Sequence, residues 1–382
     1  MKKTTLYNLI ATFFITMGVS SCADFLDQEN PAYDAEGFYA TEAGLKEGVT
    51  GIYPLLYFDM NWAVPACIVL DHYTAYGLEQ DENSSIGAGG TLNPDNGKIQ
   101  AFWTGEYQIA ARANSVIYGA KDAVAGMSDA ARQYYAEARV LRAYAYYNLI
   151  SAFGDVPFFT APVTIDEYKV GRTPKGEIID FLIKDLNDAA DYLPWTATQR
   201  GRVDKAVAYG LIARMGLFGG SFNVENKATE YFRIAADAAN KVIGKRKLAP
   251  KFSDLFNLTG QAKSEVRDEL LWELMYSTNG TKKLHTVGYG HSSRNYASSV
   301  RFPSSLIVDT YECIDGKRID ESPLYDPKHP TLNRDPRFNA TLAGHGDTIN
   351  YTITDGNNPQ KLILNIYDDK TRFYPRRNAW YT

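Results

Sequence analysis

The stretch SDAARQYYAEARVLRAYAYYNLISAF, residues 128–153, decides the fold. Tyr134, Ala138, Leu141, Ala145, Leu149 and Ala152 recur at intervals of three and four, which puts them on one face of an α-helix. Arg132, Arg139 and Arg142 fall largely off that face. Ser128 is placed to cap the first turn, and Gly154 followed by Pro157 ends the helix. An apolar face made largely of small residues lets a partner helix approach closely.

The same periodicity continues on both sides. Downstream, Thr173-Pro174 reads as a cap and first-turn proline for a helix with the stripe Ile178, Leu182, Leu186, Ala189 and Leu193, stopped by Pro194. Val203 to Leu217 follows, with Gly219-Gly220 as its expected stop. Ala228 to Ile243 comes next, with Phe232, Ala235, Ala239 and Val242 inward. Upstream, Trp103 to Val124 carries Tyr107, Ala111, Ile117, Ala120 and Val124, and Leu45, Val49, Ile52 and Leu56 step behind a cap at Thr41. Helices of about 15–25 residues joined by short polar turns describe antiparallel hairpins. Ala138, Leu141, Ala145 and Leu149 recur at an offset of 68 as Ala206, Tyr209, Ala213 and Leu217, twice the ~34-residue period of tetratricopeptide repeats. The fold expected is mostly α, a tetratricopeptide-like helix-hairpin scaffold over 41–260.

From Gln261 the pattern changes. Glu269 to Tyr276 reads as a strand or a short buried segment, and Lys361 to Tyr367 as a strand. Between them residues 279–360 are rich in Gly, Ser, Asn, Asp and Pro without a sustained period. Residues 261–382 are therefore expected to form a large loop-rich, ligand-binding region with a few short strands.

Composition narrows the function. The 382 residues hold 40 Lys+Arg against 45 Asp+Glu, a formal charge of −5, which argues against a general nucleic-acid binder. Hydrophobic residues make up 45%, so the chain can bury a large core, and 27 Tyr, 18 Phe and 5 Trp leave rings to spare for a surface. Three cysteines cannot make a disulfide framework. Cys67 and Cys313 either pair or remain buried thiols.

The N-terminus sets the compartment. Lys2-Lys3, an apolar run from Tyr7 to Val19, and Val19-Ser20-Ser21-Cys22 arrive in the order of a secretory leader ending in a lipobox. Residues 1–21 are expected to be a lipoprotein signal peptide, Cys22 the lipid-modified residue, and 22–40 an anchor leader. The apolar run is shorter than the ~20 residues of a membrane-spanning helix. Cleavage before Cys22 removes Lys2 and Lys3 and no acids, taking the net charge from −5 to −7.

Several landmarks in order resemble the SusD/RagB family of outer-membrane glycan-binding lipoproteins of Bacteroidetes. They are Cys22-Ala23-Asp24-Phe25-Leu26-Asp27, Phe102-Trp103-Thr104-Gly105-Glu106-Tyr107 running on to Arg112-Ala113-Asn114, Ala136 to Tyr144, and Phe153-Gly154-Asp155-Val156-Pro157. Further on come Asp185-Leu186, Ala206-Val207-Ala208, Pro303 to Asp309, Asp315-Gly316 and Arg334-Asp335-Pro336-Arg337-Phe338. The resemblance implies a non-catalytic lipoprotein, anchored in the outer membrane and facing the exterior. It would hold an oligosaccharide or polysaccharide over a SusC-like TonB-dependent transporter. The family usually continues into a late helical pair, so the chain reads as an incomplete or unusually short member.

Sugar recognition needs flat aromatic platforms beside fixed donors and acceptors. Two segments outside clear helices supply that mixture, and the resemblance implies that sites form where an early loop meets a later one. The first holds Trp62, Asp71, His72, Tyr73, Tyr76 and Asn83. The second holds Tyr289, His291, Arg294, Asn295 and Tyr296. The expected ligand contacts are Trp62, Asp71, Tyr73, Tyr76, Tyr289, Arg294 and Tyr296, with Trp103 and Trp272 assigned to the core. No cofactor and no metal is expected: there is no HExxH, P-loop, dinucleotide fingerprint or nucleophile elbow, and Asn93-Pro94-Asp95-Asn96-Gly97 lacks the acidic spacing of a calcium loop. His285 and His291 read as solvated loop residues. The rival readings are a peptide- or glycoprotein-binding scaffold and a glycoside-active enzyme.

Overall fold

A computed structural model of the chain describes residues 35–61, 95–164, 166–275 and 301–343. It also describes positions 70 and 74 and the short segments 64–65, 77–79, 348–352, 359–363 and 374–375. The leader, Cys22 and Cys67 lie outside the described residues.

The described chain is mostly helical. Helices α1 (Ala35–Tyr39) and α2 (Glu42–Thr50) lead into a 3-10 turn at Tyr53–Tyr57. The long helices follow: α3 (Gly97–Ala120), α4 (Asp129–Phe153), α5 (Lys175–Ala190), α6 (Lys205–Ser221) and α7 (Ala228–Val242). Each packs antiparallel on its chain neighbour. Trp103 near the start of α3 meets Phe153 at the end of α4, and Asp155 beyond α4 meets Lys175 at the start of α5. One hydrophobic core runs through the stack, from Leu45 and Ile52 through Leu141 and Leu149 to Ile178, Leu182 and Met215.

Local chemistry sets the ends. Thr41 caps α2 by accepting from Gly44 N, and Ser128 caps α4 by accepting from Ala131 N. Gly154, at φ +74°, ends α4 in a conformation that costs other residues a steric clash.

Four helix details differ from the periodicity reading. Helix α3 starts at Gly97 rather than Trp103, because Asn96 accepts from Lys98 N and Ile99 N; the Asn93–Gly97 run thus ends in a helix cap. Helix α5 takes its cap from outside: Thr173 N donates to Val156 O, while Asp155 Oδ1 accepts from Lys175 N at 2.9 Å. Helix α6 begins at Lys205 behind an Asp204 cap and runs through Gly219-Gly220. Those glycines do not stop it, because they are where α7 comes closest. A Cβ on Gly216 would lie 2.7 Å from the Tyr231 carbonyl oxygen, on Gly219 2.8 Å from the Tyr231 ring and on Gly220 2.6 Å from the Phe232 ring. Helix α7 consequently buries Tyr231 and Ala238, whereas Phe232 stays 45% exposed over Gly220 and Ala239 faces outward.

The arginines of α4 also depart from expectation. Arg142 is 3% exposed and donates to Asp185 Oδ2 at 2.7 Å, while Arg139 donates to Asp185 Oδ1 at 2.8 Å. Packing of α5 against this side of α4 turns an apparently polar face into a buried ion cluster. Trp103, assigned to the core, is 36% exposed and packs edge-on against Phe153. Trp272 is half-buried against the core, in a segment without a strand partner among the described residues.

Beyond the stack, short two-stranded ladders and helical turns carry the chain. Thr348–Thr352 pairs antiparallel with Pro359–Ile363, and Leu342–Ala343 with Tyr374–Pro375. Cys313 is a free, buried thiol.

Candidate functional site

Trp62, Asp71, Tyr73, Tyr76, Tyr289, Arg294 and Tyr296 all lie outside the described residues, as do His72, Asn83, His285, His291 and Asn295. The backbone that frames them is described. Asp59–Asn61 (β1) and Val64–Pro65 (β2) pair as a tight hairpin on either side of positions 62 and 63. Gly77–Glu79 (β3) lies late in the first candidate segment, after Tyr76 and before Asn83, and pairs antiparallel with Arg301–Pro303 (β4), which starts at the end of the second. The register is Gly77↔Pro303, Leu78↔Phe302 and Glu79↔Arg301.

The beginnings of the two spans are joined as well. Tyr57 Oη, just before β1, donates to Met275 O at 2.7 Å, immediately before the second span. Burial raises the Tyr57 phenol against the smaller lowering effect of the Met275 bond, with the negative charge of Glu273 adding to the rise, so it remains a donor at neutral pH. The spans from Phe58 to Tyr76 and from 276 to 300 are thus tied at both roots, once by a side chain and once by a ladder.

Residues 271–275 form the strap that carries one of these roots. Trp272 Nε1 donates to Gly201 O at 2.9 Å and its ring meets Tyr144 edge-on at 5.1 Å. Arg200 grips Glu273 with two bonds of 2.6 and 2.8 Å. Gly201 sits at φ +88°, and a Cβ there would lie 2.7 Å from Met275 Cγ, so this turn needs glycine for both conformation and space. Beneath it, Glu137 Oε2 accepts from Tyr53 Oη and from Arg202 Nε, both at 2.8 Å, and Tyr53 Oη accepts from Val203 N. Burial raises the Glu137 carboxyl, and the Arg202 guanidinium pulls it back.

Several landmark residues, and Tyr146 beside them, are occupied by their own fold. Asn114 Nδ2 donates to Phe159 O, Tyr107 Oη to Pro157 O, and Tyr146 Oη both accepts from Phe159 N and donates to its carbonyl. Arg142 also reaches Asn114 Oδ1. Arg334 donates to the carbonyls of Val308, Tyr311 and Pro330 and lies over the Phe338 ring. Tyr107, Asn114 and Tyr146 thus satisfy main-chain groups of residues 157–159, which cross the helices without ladder partners.

Glu106 is the buried acid that sequence reading left without a role. It is 1% exposed, accepts one bond from Asn148 Nδ2 at 2.8 Å, and leaves Oε2 without a partner among the described residues. Burial pushes its carboxyl up to about 8, against the smaller opposing effect of the Asn148 bond. Such a group is protonated at neutral pH and sealed from any substrate. Among the described residues no group of three or more His, Cys, Asp or Glu could hold a metal ion, and no helix is long and apolar enough to cross a membrane.

Comparison with known proteins agrees with this architecture. A SusD-like family model, described as starch-binding and associating with the outer membrane, matches residues 24–217, just over half of the chain. A SusD-like protein of Formosa agariphila is 27% identical over 308 residues, covering 76% of this chain and 56% of that protein. The starch-binding protein SusD of Bacteroides thetaiotaomicron is 31% identical over 247 residues, covering 59% and 42%. The chain thus spans about half the length of these relatives. Among solved structures, a SusD-like carbohydrate-binding protein from Bacteroides fragilis matches with a TM-score of 0.70 at 20% identity, over 89% of this chain and 68% of the other. Surface glycan-binding protein A from Bacteroides fluxus matches with a TM-score of 0.59 at 17% identity, over 89% and 69%.

Proposed function

The chain belongs to the SusD-like family, and from that premise we propose that it captures oligosaccharide or polysaccharide at the cell surface and passes it, unmodified, to a SusC-like TonB-dependent transporter. Cys22 carries the lipid that holds it to the outer membrane, facing outward. The observation that supports this reading best is the double tie between the two candidate spans, Tyr57 to Met275 at one root and β3 to β4 at the other. A sugar bound by side chains from both spans meets groups whose backbones are already held together, so less ordering free energy is lost on binding. Trp62, Tyr73, Tyr76, Tyr289 and Tyr296 supply the platforms, and Asp71 and Arg294 the polar contacts.

Native affinity electrophoresis tests the reading, using the chain from Ala23 onward, which retains every described residue. Gels contain a panel of polysaccharides, with a reducing-sugar assay alongside. Selective retardation without new reducing ends is expected. New reducing ends would replace capture with glycoside hydrolysis, and a folded protein slowed by no polymer would refute glycan capture.

A further inference from the structure

Where α6 begins and α7 ends, three ammonium groups gather around two rings. Lys241 Nζ lies 4.4 Å from the Tyr209 ring centre, and Lys245 Nζ and Lys205 Nζ lie 5.6 and 5.8 Å from that of Trp195. The two rings are 6.0 Å apart. Among the described residues none of the three lysines makes an ion pair, and the neighbouring carboxylates are committed elsewhere. Asp204 caps α6 and takes Arg246; Asp268 takes Arg246 and the Lys247 amide; Glu269 takes the Ala249 amide.

Fold stability accounts for only one of these cations. Lys241 lies in the last turn of α7, where the helix dipole favours positive charge. Lys205 is the first residue of α6, where the dipole disfavours it, and Lys245 lies beyond the end of α7. Three mutually repelling cations thus sit together on a chain whose net charge is −5. They are held on aromatic rings rather than on acids, an arrangement that leaves their charge available to an outside anion. The half-buried indole of Trp195 adds an apolar face of the kind that packs on sugar C–H groups. The patch is too small, on too acidic a chain, to follow a nucleic-acid backbone.

We infer that Trp195, Lys205, Lys241 and Lys245 form a second saccharide site, selective for sugars carrying carboxylate or sulfate groups. The inference rests on the proposed glycan capture and extends it to acidic polymers. The lysine stems are flexible enough to meet anionic groups at more than one spacing, so class selectivity rather than recognition of a single sugar follows.

The test runs the chain from Ala23 onward through gels containing polygalacturonate, a sulfated galactan, or neutral polymers, beside the double variant Lys241→Gln/Lys245→Gln. The acidic polymers should slow the wild type, and the double variant should raise their dissociation constants roughly tenfold, with a shallower salt dependence. It should remain folded with unchanged helix content, and its retardation by neutral polymers should not move. Trp195→Phe should abolish the fluorescence change that acidic polymer induces, which a diffuse charge effect would not require. Acidic-polymer binding unchanged in the double variant overturns the site, as does lysine-dependent binding to anionic phospholipid vesicles without binding to the polymers. Retardation by neutral but not acidic polymers overturns the site and leaves capture standing, whereas loss of both overturns both.

Discussion

Replacing Glu106 by Gln should make the protein more stable at neutral and higher pH, by an amount that grows with pH. In the folded chain the carboxyl titrates at about 8 rather than at its ordinary 4.5, because it is buried with a single bond from Asn148. Between those two values the folded state holds a proton that the unfolded state has released. Stability therefore falls as pH rises through this window, at about 1.4 kcal/mol per pH unit for one proton. Below about 4.5 both states are protonated and nothing is lost; above about 8 the loss is complete, at about 5 kcal/mol. Gln cannot ionise, so Glu106→Gln removes this dependence. It keeps the acceptor for Asn148 and introduces a buried amide donor whose cost, about 1–3 kcal/mol, is independent of pH. Urea unfolding of both proteins at pH 5 through 9 would read the difference directly. The variant should be slightly less stable or equal at pH 5, more stable by pH 7, and further ahead at pH 8. Parallel stability curves across that range would show that Glu106 gains solvent or a counter-charge, refuting the argument.

Three further outcomes follow from the same contacts. Asp185→Asn leaves Arg142 buried without its carboxylate and should cost about 3–5 kcal/mol in chemical unfolding; a loss below about 1 kcal/mol would mean that the arginines reach water. Gly216→Ala places a methyl against the Tyr231 backbone and should lower stability by about 1–3 kcal/mol by prising α7 from α6, measurable as a drop in melting temperature with unchanged helix content. Trp62→Ala should weaken binding of whichever polymer retards the wild type by about 1–2 kcal/mol, and an unchanged affinity would remove Trp62 from the site.

The helices were legible because their signals are local. The buried stripe Ala138, Leu141, Ala145 and Leu149, the caps at Thr41 and Ser128 and the stop at Gly154 each depend on residues within a turn or two, although Ala152, read onto the same face, is exposed. What escaped depends on partners distant in sequence. Whether Arg142 faces solvent is decided by Asp185, 43 residues on, and the cap of α5 comes from Asp155 rather than from Thr173 beside it. Gly219-Gly220 reads locally as punctuation, and only the approach of α7 reveals it as a contact surface. At the candidate site, residue types marked two spans, but strands of three residues carry too little alternation to announce the β3–β4 ladder. Lys205, Lys241 and Lys245 lie up to 40 residues apart, and only folding brings them to the rings of Tyr209 and Trp195.

A pattern in the buried polar side chains explains how this scaffold divides its labour. Several lie where non-helical backbone crosses the helices: Tyr107, Asn114 and Tyr146 under 157–159, and Tyr53 under Val203. Arg334 holds the carbonyls of Val308, Tyr311 and Pro330 in the same way. An all-apolar helix surface would leave those amides and carbonyls buried and unpaired, at about 1–3 kcal/mol each. The landmark residues Tyr107, Asn114 and Arg334 are thus spent on holding irregular chain in place. They can stay fixed while the chemistry displayed by that chain varies. Residues 62–76 and 276–300 fall outside every landmark motif, yet the β3–β4 ladder and the Tyr57–Met275 bond flank them. In the proposed capture role, substitutions within those spans change which glycan is held at little cost to the fold, whereas substitutions at the landmarks change stability first.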